Sequence, residues 1–522
     1  MKTLKVSSRS ALAFFAAAAA SCGDGGDSLA EDTIATQSAL FVKPGDQLWN
    51  GASVSNPGPL GTGALVTVCF SVRPRKDANG MVFCPNQTSA NVDCDGNAVP
   101  NVASLRQMIR TGIERTWVRY ANLSIEGWID CPIVNDSGTE RHLERNLGRT
   151  VMIQLKDQDF TFYQDGVSNT RPTVVQYNWP AIVQFGVGNV VHEMGHALGF
   201  EDEWHHANFS DSRCVSTQGD PTHISGGMLM SPFVDPLSTM TCPELRPGGF
   251  IVTLSPGDII GIQRAYGRKS TGSLVGFDGM CANINGGLTA PGTPIIAFPC
   301  TNNFNDRWFR SSLTQHFRAD MGGGIQRCMN VVTGGAVKSA TCASGTGEDF
   351  PLSNVEWRGM GNMCATPGPN NSIIMNTCDG TSAQKWTLLD SDPGTSLRFD
   401  QIKNQSTGQC VSAGTTNGFV GDSLTLKACS TTDTRQRFAY PGQGVIGYGN
   451  FCMNVSGGVL TPGQPLGLWD GCTATPRLLN EVFTLVGNVK NQGQCMDATN
   501  RSQVSVTTCS SANVEQIWEY YL

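Results

Sequence analysis

The sequence predicts an α+β domain followed by a longer all-β region, and three observations support this prediction. Strand-like and helix-like segments alternate before residue 268, and one helix bears a metal-binding motif. After residue 272 a pattern of two cysteines and an aromatic residue recurs six times. The 522 residues exceed one ordinary domain, and their 60 glycines favour strands and turns over long helices.

The first 21 residues are predicted to be a signal peptide. Basic residues precede an apolar run at 11–20, which is too short to span a membrane as a helix. The residues Ala19-Ala20-Ser21-Cys22 then resemble the lipobox of bacterial lipoproteins, with Ala19 where leucine is usual. This resemblance implies lipidation of Cys22 and a lipid anchor at the bacterial cell surface or outer membrane. Secretion, with Cys22 lost in the cleaved peptide, is the alternative.

Composition and cysteine count indicate an exported protein without a nucleic-acid partner. Charged residues make up 15% of the chain and the net charge is −7, so no basic surface attracts nucleic acid. Residues 22–60 are polar and rich in glycine, proline and serine, which predicts a tether. The 19 cysteines include Cys22, and the even remainder is expected for disulfides formed outside the cytoplasm. Two local pairs are predicted in the first domain: Cys84 with Cys94, and Cys214 with Cys242.

Elements of both kinds are predicted between residues 61 and 268. Strands are expected at 65–70, 123–128 and 150–155. A helical stripe of apolar residues runs along 104–117, with Ser104 as the predicted N-cap. A last helix is predicted to follow its cap Ser255 and to end at Gly267.

A metal site is predicted from the H-E-x-x-H motif that begins at His192. On a helix, His192 and His196 lie on one face, one turn apart, where they can share an ion. Glu193 can reach a metal-bound water and take its proton. Gly199 is suited to end the helix because glycine adopts the left-handed conformation at little steric cost. Asp202 then follows three residues later, with an oxygen that zinc accepts as a ligand.

This stretch resembles the metzincin zinc peptidases, whose pattern H-E-x-x-H-x-x-G-x-x-H places a third ligand where Asp202 stands. Snapalysin-type metzincins use aspartate there. The resemblance implies that Zn²⁺ is bound by the two histidines and Asp202, and that Glu193 is the catalytic base of an endopeptidase acting on proteins or glycoproteins. His205 or His206 as the third ligand is the alternative. Ca²⁺ in the loops is left open.

The same resemblance covers about residues 60–267 and predicts a metallopeptidase domain at 61–268. It implies an α+β metzincin-like fold with a Met-turn, a tight turn whose methionine packs beneath the metal. Met230 is assigned to this position, with Met228 as the alternative.

The second half resembles the Q-x-W repeats of ricin-type β-trefoil lectins, in which three units make one trefoil. The cysteine pairs of the six units are 281/300, 328/342, 364/378, 410/429, 452/472 and 495/509. Each second cysteine precedes a polar-x-aromatic signature, such as Gln384-Lys385-Trp386. The resemblance implies tandem all-β trefoils at 272–392 and 395–522.

Carbohydrate binding is a separate implication of this resemblance. Such lectins use a polar residue two positions after the first cysteine, a stacking aromatic before the second and a polar group near the signature. The fifth unit keeps this set best, with Asn454, Trp469, and Asn480 or Glu481. The first unit offers Asn283, Phe298 and Asp306.

Two functions from different classes follow. The first is an exported zinc endopeptidase that a ricin-type module holds near glycans. The second is a non-catalytic surface lectin or adhesion protein whose peptidase domain is only a scaffold. A variant of the first keeps the catalysis, with trefoils that bind protein or polymer instead of sugar.

Overall fold

The computed structural model describes residues from 41 to 521 with gaps. The described ranges are 41–42, 47–53, 55–76, 82–132, 140–141, 150–157, 162–164, 172–202, 228–229, 238–240, 253–269, 272–310, 316–343, 346–348, 350, 354–390, 399–415, 418–442, 445–448, 451–458, 461–470 and 479–521. All of them belong to one unit of the chain, Gln37–Leu522. Within these ranges, no helix is both long enough and apolar enough to cross a membrane.

The N-terminal region combines short helices with a five-stranded sheet. The strands of the whole N-terminal region are β1 (Phe41–Val42), β2 (Ala64–Phe70), β3 (Arg75–Lys76), β4 (Val82–Phe83), β5 (Leu123–Asp130), β6 (Glu140–Arg141), β7 (Thr150–Lys156), β8 (Phe162–Gln164), β9 (Thr173–Asn178) and β10 (Met228–Leu229). Its helices are α1 (Val102–Ile113), α2 (Trp179–Phe185), α3 (Gly188–Ala197) and α4 (Pro256–Tyr266), and a π turn (Glu114–Val118) extends α1. The three predicted strands are therefore present as β2, β5 and β7.

The sheet order is β5-β2-β7-β9-β8, with β8 antiparallel to β9 and the other pairs parallel. The central strand β7 is buried along nearly its whole length. Such a continuous buried run is typical of parallel strands covered on both faces. Helices α1 and α3 pack against each other, and their buried residues share one core with β2, β7 and β9.

The long helix begins three residues earlier than predicted. Its N-cap is Asn101, which has a φ of 50° and makes no side-chain cap hydrogen bond. Ser104 lies inside the first turn, so the prediction that it caps the helix is wrong. The predicted stripe is confirmed, because Leu105, Ile109, Ile113 and Trp117 are all buried. Trp117 lies one turn beyond Ile113, on the same buried face.

Helix α4 matches its prediction at both ends. The Ser255 side chain accepts a hydrogen bond from the Asp258 backbone N–H, and the Asp258 carboxylate accepts one from the Ser255 N–H. This capping box fixes the start of the helix. Gly267, at φ 78°, ends it.

Six repeat units make up the C-terminal region. Unit one holds β11 (Leu274–Gly276), β12 (Met280–Ile284), β13 (Ile295–Pro299) and β14 (Phe309–Arg310), and unit two holds β15 (Phe317–Asp320), β16 (Gln326–Val331) and β17 (Val337–Ala340). Unit three holds β18 (Val355–Arg358), β19 (Cys364–Pro367), β20 (Ile373–Asn376) and β21 (Lys385–Asp390), and unit four holds β22 (Phe399–Asn404), β23 (Cys410–Ala413), β24 (Leu424–Lys427) and β25 (Phe438–Gly442). Unit five holds β26 (Val445–Tyr448), β27 (Phe451–Val455), β28 (Gln464–Trp469) and β29 (Thr484–Gly487), and unit six holds β30 (Lys490–Asn491), β31 (Gln494–Asp497), β32 (Ser505–Thr507) and β33 (Trp518–Tyr521).

The repeated signature has a structural cause. In unit three the Gln384 side-chain oxygen accepts a hydrogen bond from the backbone N–H of Asp379, the residue after the second cysteine. The equivalent bond forms in units one, two, four and six. The Trp386 indole N–H donates to the carbonyl after the first cysteine, at Ala365, as do the tryptophans of units one and six. The signature therefore ties both cysteine strands to the unit's 3-10 turn.

The six units close into two barrels in an order that the sequence did not predict. Strand β33 of unit six pairs with β11 of unit one, and β14 of unit one pairs with β15 of unit two. Bridges Pro294–Lys338 and Ala336–Ser505 join the same three units. We call this set, within residues 272–350 and 490–521, the outer trefoil.

Units three, four and five form the second set. Strand β18 of unit three pairs with β29 of unit five, β21 pairs with β22, and β25 pairs with β26. We call residues 354–487 the inserted trefoil, because the chain completes it before returning to close the outer one. The predicted division at about residue 393 does not match this grouping, since units three and four share one barrel.

Seven disulfides lie among the described residues. They are Cys69–Cys131, Cys84–Cys94, Cys281–Cys300, Cys328–Cys342, Cys364–Cys378, Cys410–Cys429 and Cys495–Cys509. The prediction for Cys84 and Cys94 is confirmed, as is the pairing within five repeat units. Cys452 is also disulfide-bonded. Cys214, Cys242 and Cys472 lie outside the described residues.

Candidate metal centre

Helix α3 carries the motif and stops where the sequence predicts. The Phe200 N–H donates to the Gly195 carbonyl at 3.1 Å, and the Gly199 N–H donates to the His196 carbonyl at 2.8 Å. These two bonds are those of a Schellman cap. Gly199 has a φ of 99°, which a side chain would make unfavourable. The cap turns the chain back, so that Asp202 faces the helix it has just left.

Three side chains converge at this turn. One carboxylate oxygen of Asp202, Oδ1, lies 3.4 Å from His192 Nε2 and 3.4 Å from His196 Nε2. The three ligand atoms all lie within 4.8 Å of one another. His192 and Asp202 are buried, and His196 is largely so. The structure thus brings together the three predicted metal ligands.

The other nitrogen of each imidazole is fixed by the backbone. His192 Nδ1 lies 2.8 Å from the Thr239 carbonyl oxygen, and His196 Nδ1 lies 2.8 Å from that of Phe200. A carbonyl oxygen only accepts, so each Nδ1 carries the proton in these bonds. Nε2 is therefore the nitrogen of each ring that faces Asp202 and can bind a metal ion. This arrangement is typical of metal-binding histidines, whose outer partners set the tautomer and the ring orientation.

The segment 238–240 contributes to the site although no motif marks it in the sequence. The Asp258 carboxylate accepts hydrogen bonds from the Ser238 hydroxyl at 2.6 Å and from the Thr239 N–H at 2.8 Å. Asp258 is fully buried at the start of α4. The Thr239 carbonyl also accepts the hydrogen bond of His192. Asp258, at the start of α4, therefore positions this ligand through Thr239.

A methionine that no sequence motif marks packs against the metal-binding helix. Met240 is fully buried, and a Cβ added at Gly195 would meet its sulfur at 2.3 Å. Glycine at this position of α3 therefore admits the methionine. Met230 lies outside the described residues, and Met228 lies in strand β10, which pairs with β1. The methionine seen in contact with the metal-binding helix is Met240.

Aromatic residues form the rest of the support. The Trp117 indole N–H donates to the Val191 carbonyl of α3 at 2.7 Å, and its ring stacks on Phe200 at 5.8 Å between centroids. The Trp49 indole donates to the Ala197 carbonyl at the end of α3, also at 2.7 Å. The Tyr266 hydroxyl donates to the Leu198 carbonyl. Each of these bonds satisfies a buried carbonyl near the ligands and fixes the helix end.

The electrostatic field at the centre favours a cation. Burial by itself lowers the pKa of His196, but the carboxylates of Asp202 and Glu193 outweigh it and raise that pKa to about 10. Burial and the charge of Glu193 also raise the pKa of Tyr177 well above its ordinary value. Two carboxylates in a buried site require a compensating positive charge.

Three further predicted residues lie outside the part of the chain that the structure describes. His205 and His206, the alternative third ligands, lie outside the described residues, as does Cys22. A second acidic group, Asp93, Asp95 and Asp157, comes together near the end of β7. Acidic groups of this kind are common at protein surfaces without an ion, so the Ca²⁺ alternative stays a prediction.

The strand register singles out units one and five as candidate carbohydrate sites. The residue paired with the first cysteine of a unit is Phe298 in unit one and Trp469 in unit five. In the other four units this position holds Ala340, Asn376, Lys427 and Thr507. Phe298 is 46% exposed and Trp469 is 41% exposed. The two aromatic rings therefore stand at the same place in their units with a face open to solvent.

The polar residues of each candidate site are hydrogen-bonded within their unit, and Asn283 and Asn454 are themselves buried. In unit five the Asn454 amide lies 3.4 Å from the Glu481 carboxylate, and the Asn480 amide donates to the Val455 carbonyl. In unit one the Asn305 amide donates to the Asn283 side-chain oxygen at 3.0 Å.

The choice of Asp306 in unit one needs correction. Its side chain is fully buried, and its carboxylate accepts hydrogen bonds from the Thr301 N–H and hydroxyl. It therefore serves the structural role of the signature residue. Asn305, its neighbour, is the polar group beside Asn283.

A protein-family model for the ricin-type β-trefoil lectin domain matches residues 398–518. The sequence of these residues therefore supports a ricin-type lectin domain. The matched stretch spans units four to six, whereas the two barrels of the structure combine units three to five and units one, two and six. No curated protein matches the chain.

Solved structures that match this chain include several lectins. A non-toxic homologue of type II RIPs from Momordica charantia (bitter gourd), in complex with α-methyl-D-galactoside, is 19% identical, with 41% of this chain and 95% of that chain covered and a TM-score of 0.21. The agglutinin from Abrus precatorius is 17% identical, with 40% and 94% covered and a TM-score of 0.20. The Macrolepiota procera ricin B-like lectin in complex with lactose is 15% identical, with 26% and 95% covered and a TM-score of 0.21.

Proposed function

We propose that this protein is a zinc-dependent endopeptidase with an attached carbohydrate-binding module. The observation that carries the proposal is the equal 3.4 Å spacing of Asp202 Oδ1 from the two Nε2 atoms. Zinc ligands at about 2.0–2.2 Å in a tetrahedral site lie about 3.3–3.6 Å from each other. The buried donor set, and the hydrogen bonds that hold each Nδ1 on a backbone carbonyl, fit the same ion.

Bound zinc would acidify a water molecule and polarise a peptide carbonyl. His192, His196 and Asp202 would hold the ion and leave one position open. Glu193 follows His192 on α3 and is 9% exposed. Its carboxylate accepts the proton of the attacking water and passes that proton to the leaving amine.

The sheet supports an extended protein substrate. Among the described strands, β8 ends the sheet order next to β9, and it lies beside α3, the helix that carries the ligands. An edge strand offers unpaired backbone N–H and C=O groups, to which an extended peptide can add as a further strand. A peptide held in this way would pass the metal ligands in extended conformation.

The lectin module supplies the second half of the proposal. An aromatic face packs against the C–H face of a sugar ring, and neighbouring amides bond its hydroxyls. Unit five offers Trp469, Asn454 and Asn480 for this purpose, and unit one offers Phe298, Asn283 and Asn305. The substrates are then proteins or glycoproteins close to a glycan-bearing surface.

Cleavage of casein or gelatin by the purified parent and by Glu193→Gln tests the peptidase. We expect cleavage by the parent alone, with equal zinc in both proteins, because glutamine cannot take up the water's proton. Asp202→Ala should lose zinc as well as activity. Turnover by Glu193→Gln would refute the role of this residue. Bound zinc with no cleavage by the parent would favour the non-catalytic lectin.

We also propose that the protein is exported and anchored through a lipidated Cys22. The parent should partition into the detergent phase of a Triton X-114 extract, and Cys22→Ser should remain in the aqueous phase. If the parent also remained in the aqueous phase, ordinary secretion would be the explanation.

A further inference from the structure

The π turn that extends α1 lies between the metal centre and the outer trefoil. π turns are rare and costly enough to mark functional positions within helices. In this one, Glu114 and Arg119 are buried at the two ends, and Trp117 is buried between them.

Both ends of the π turn are held by the outer trefoil. The Arg119 guanidinium donates to the Glu519 carboxylate at 2.7 Å, with both side chains almost fully buried. Arg501 donates to the Glu114 carboxylate at 2.7 Å and also pairs with Asp278 at 2.8 Å. The Arg119–Glu519 pair is buried deeply enough to be costly to break from one side, since the partner is left charged and unpaired, whereas Arg501 is 31% exposed.

The trefoil also fits closely against the backbone of the turn. A Cβ added at Gly279 would meet the Glu114 carbonyl oxygen at 2.8 Å and the Arg119 nitrogen at 3.0 Å. The Phe277 ring lies 4.3 Å from the guanidinium carbon of Arg119. The close fit of Gly279 and the buried ion pairs of the outer trefoil therefore fix the same π turn.

Trp117 connects this turn to the ligands. Its indole bonds Val191, the residue before His192, and its ring stacks on Phe200. The Phe200 carbonyl in turn accepts the hydrogen bond of His196 Nδ1. A shift of the π turn would thus move the support of both histidines.

We propose that the outer trefoil positions the metal centre, with Arg119 and Glu519 as positioning residues that act through Trp117. This inference rests on the proposed zinc site. The trefoil is then part of the scaffold of the peptidase as well as a binding module. Because coupling between two sites is reciprocal, zinc should also strengthen the docking of the trefoil on α1.

The test compares Glu519→Gln with Glu356→Gln in the full chain. Glu356 is a matched control, because it is buried and pairs with Arg358 and Lys385 inside the inserted trefoil. Zinc affinity is measured by competition with a chromogenic chelator, and ligand geometry by the visible spectrum of the Co²⁺-loaded protein. We expect Glu519→Gln to bind zinc about tenfold more weakly, at the lower end of outer-partner effects, with a changed Co²⁺ spectrum. Glu356→Gln should match the parent in both.

A folded Glu519→Gln with the parent's zinc affinity and Co²⁺ spectrum would overturn the proposal. If Glu519→Gln does not fold, the more exposed pair of Arg115 with Glu515 provides a milder variant, Glu515→Gln, with the same expected direction and a smaller effect. An unchanged affinity in that variant would count equally against the proposal. A parent that binds neither metal would contradict the zinc site itself, which distinguishes that failure from a failure of the positioning role.

Discussion

Replacing Asp258 by asparagine should loosen the support of His192, a metal ligand that lies 66 residues away in sequence. The buried carboxylate accepts hydrogen bonds from the Ser238 hydroxyl, the Thr239 N–H and the Ser255 N–H. An asparagine turns an NH₂ group towards at least one of these donors. The loss of one hydrogen bond to a charged group costs about 1.5–3 kcal/mol, and the loss of the negative charge at the N-terminus of α4 adds about 0.3–1 kcal/mol.

We therefore expect local opening of residues 238–240 to become easier by about 3 kcal/mol, which corresponds to roughly 150-fold faster hydrogen exchange at the Thr239 amide. Because Thr239 orients His192, zinc affinity should fall by about 10- to 100-fold. Hydrogen–deuterium exchange measured by mass spectrometry and chelator competition report the two effects separately.

Asp422→Asn is the matched control for this experiment. Asp422 is 5% exposed and accepts hydrogen bonds from the Thr415 N–H and hydroxyl in the inserted trefoil. Its replacement should speed exchange near residue 415 and leave zinc affinity unchanged. If Asp258→Asn opens 238–240 without weakening zinc, Thr239 does not position His192 and the reasoning is refuted.

Two further predictions concern protons and sugars. The pKa of His196 rises from its ordinary 6.5 to about 10, so the metal-free fold gains stability from this proton that is fully present below pH 6.5 and is lost as pH rises to 10. Zinc must displace this proton from His196. Calorimetric titrations at pH 7.5 in buffers of different ionisation enthalpy should therefore report about one proton released per zinc. No proton release would contradict a charged His196. On a glycan array, Trp469→Ala should lose about tenfold in binding through unit five, and Phe298→Ala should lose the signal of unit one. Binding unchanged in the double variant would place any sugar site elsewhere.

Local patterns predicted the parts of the metal centre that depend on neighbours in sequence. The spacing of His192 and His196, and the stop at Gly199, follow from one helix and its cap. Thr239, Met240 and Asp258 were missed because their roles depend on contacts between elements far apart in sequence. No residue pattern of 238–240 indicates that it lies against α3.

The repeat region shows a similar limit. The signature predicted each unit, because its hydrogen bonds close within the unit. It did not predict which units share a barrel, since equivalent strands in six similar units can pair in more than one order. At Asp306 the error was one residue, and neighbouring residues on such a turn face opposite ways, one into the barrel and one towards solvent.

The nested order of the trefoils has a consequence for synthesis. Leu274 pairs with Tyr520, so the outer barrel stays open until almost 250 more residues have been made. At about 5–20 residues per second, its unpaired strand edges wait on the order of ten seconds or longer, during which the inserted barrel can already close. A chain that stops before residue 490 can complete only the inserted barrel. Units one and two of such a chain would keep exposed strand edges, which make an unfinished chain prone to aggregate.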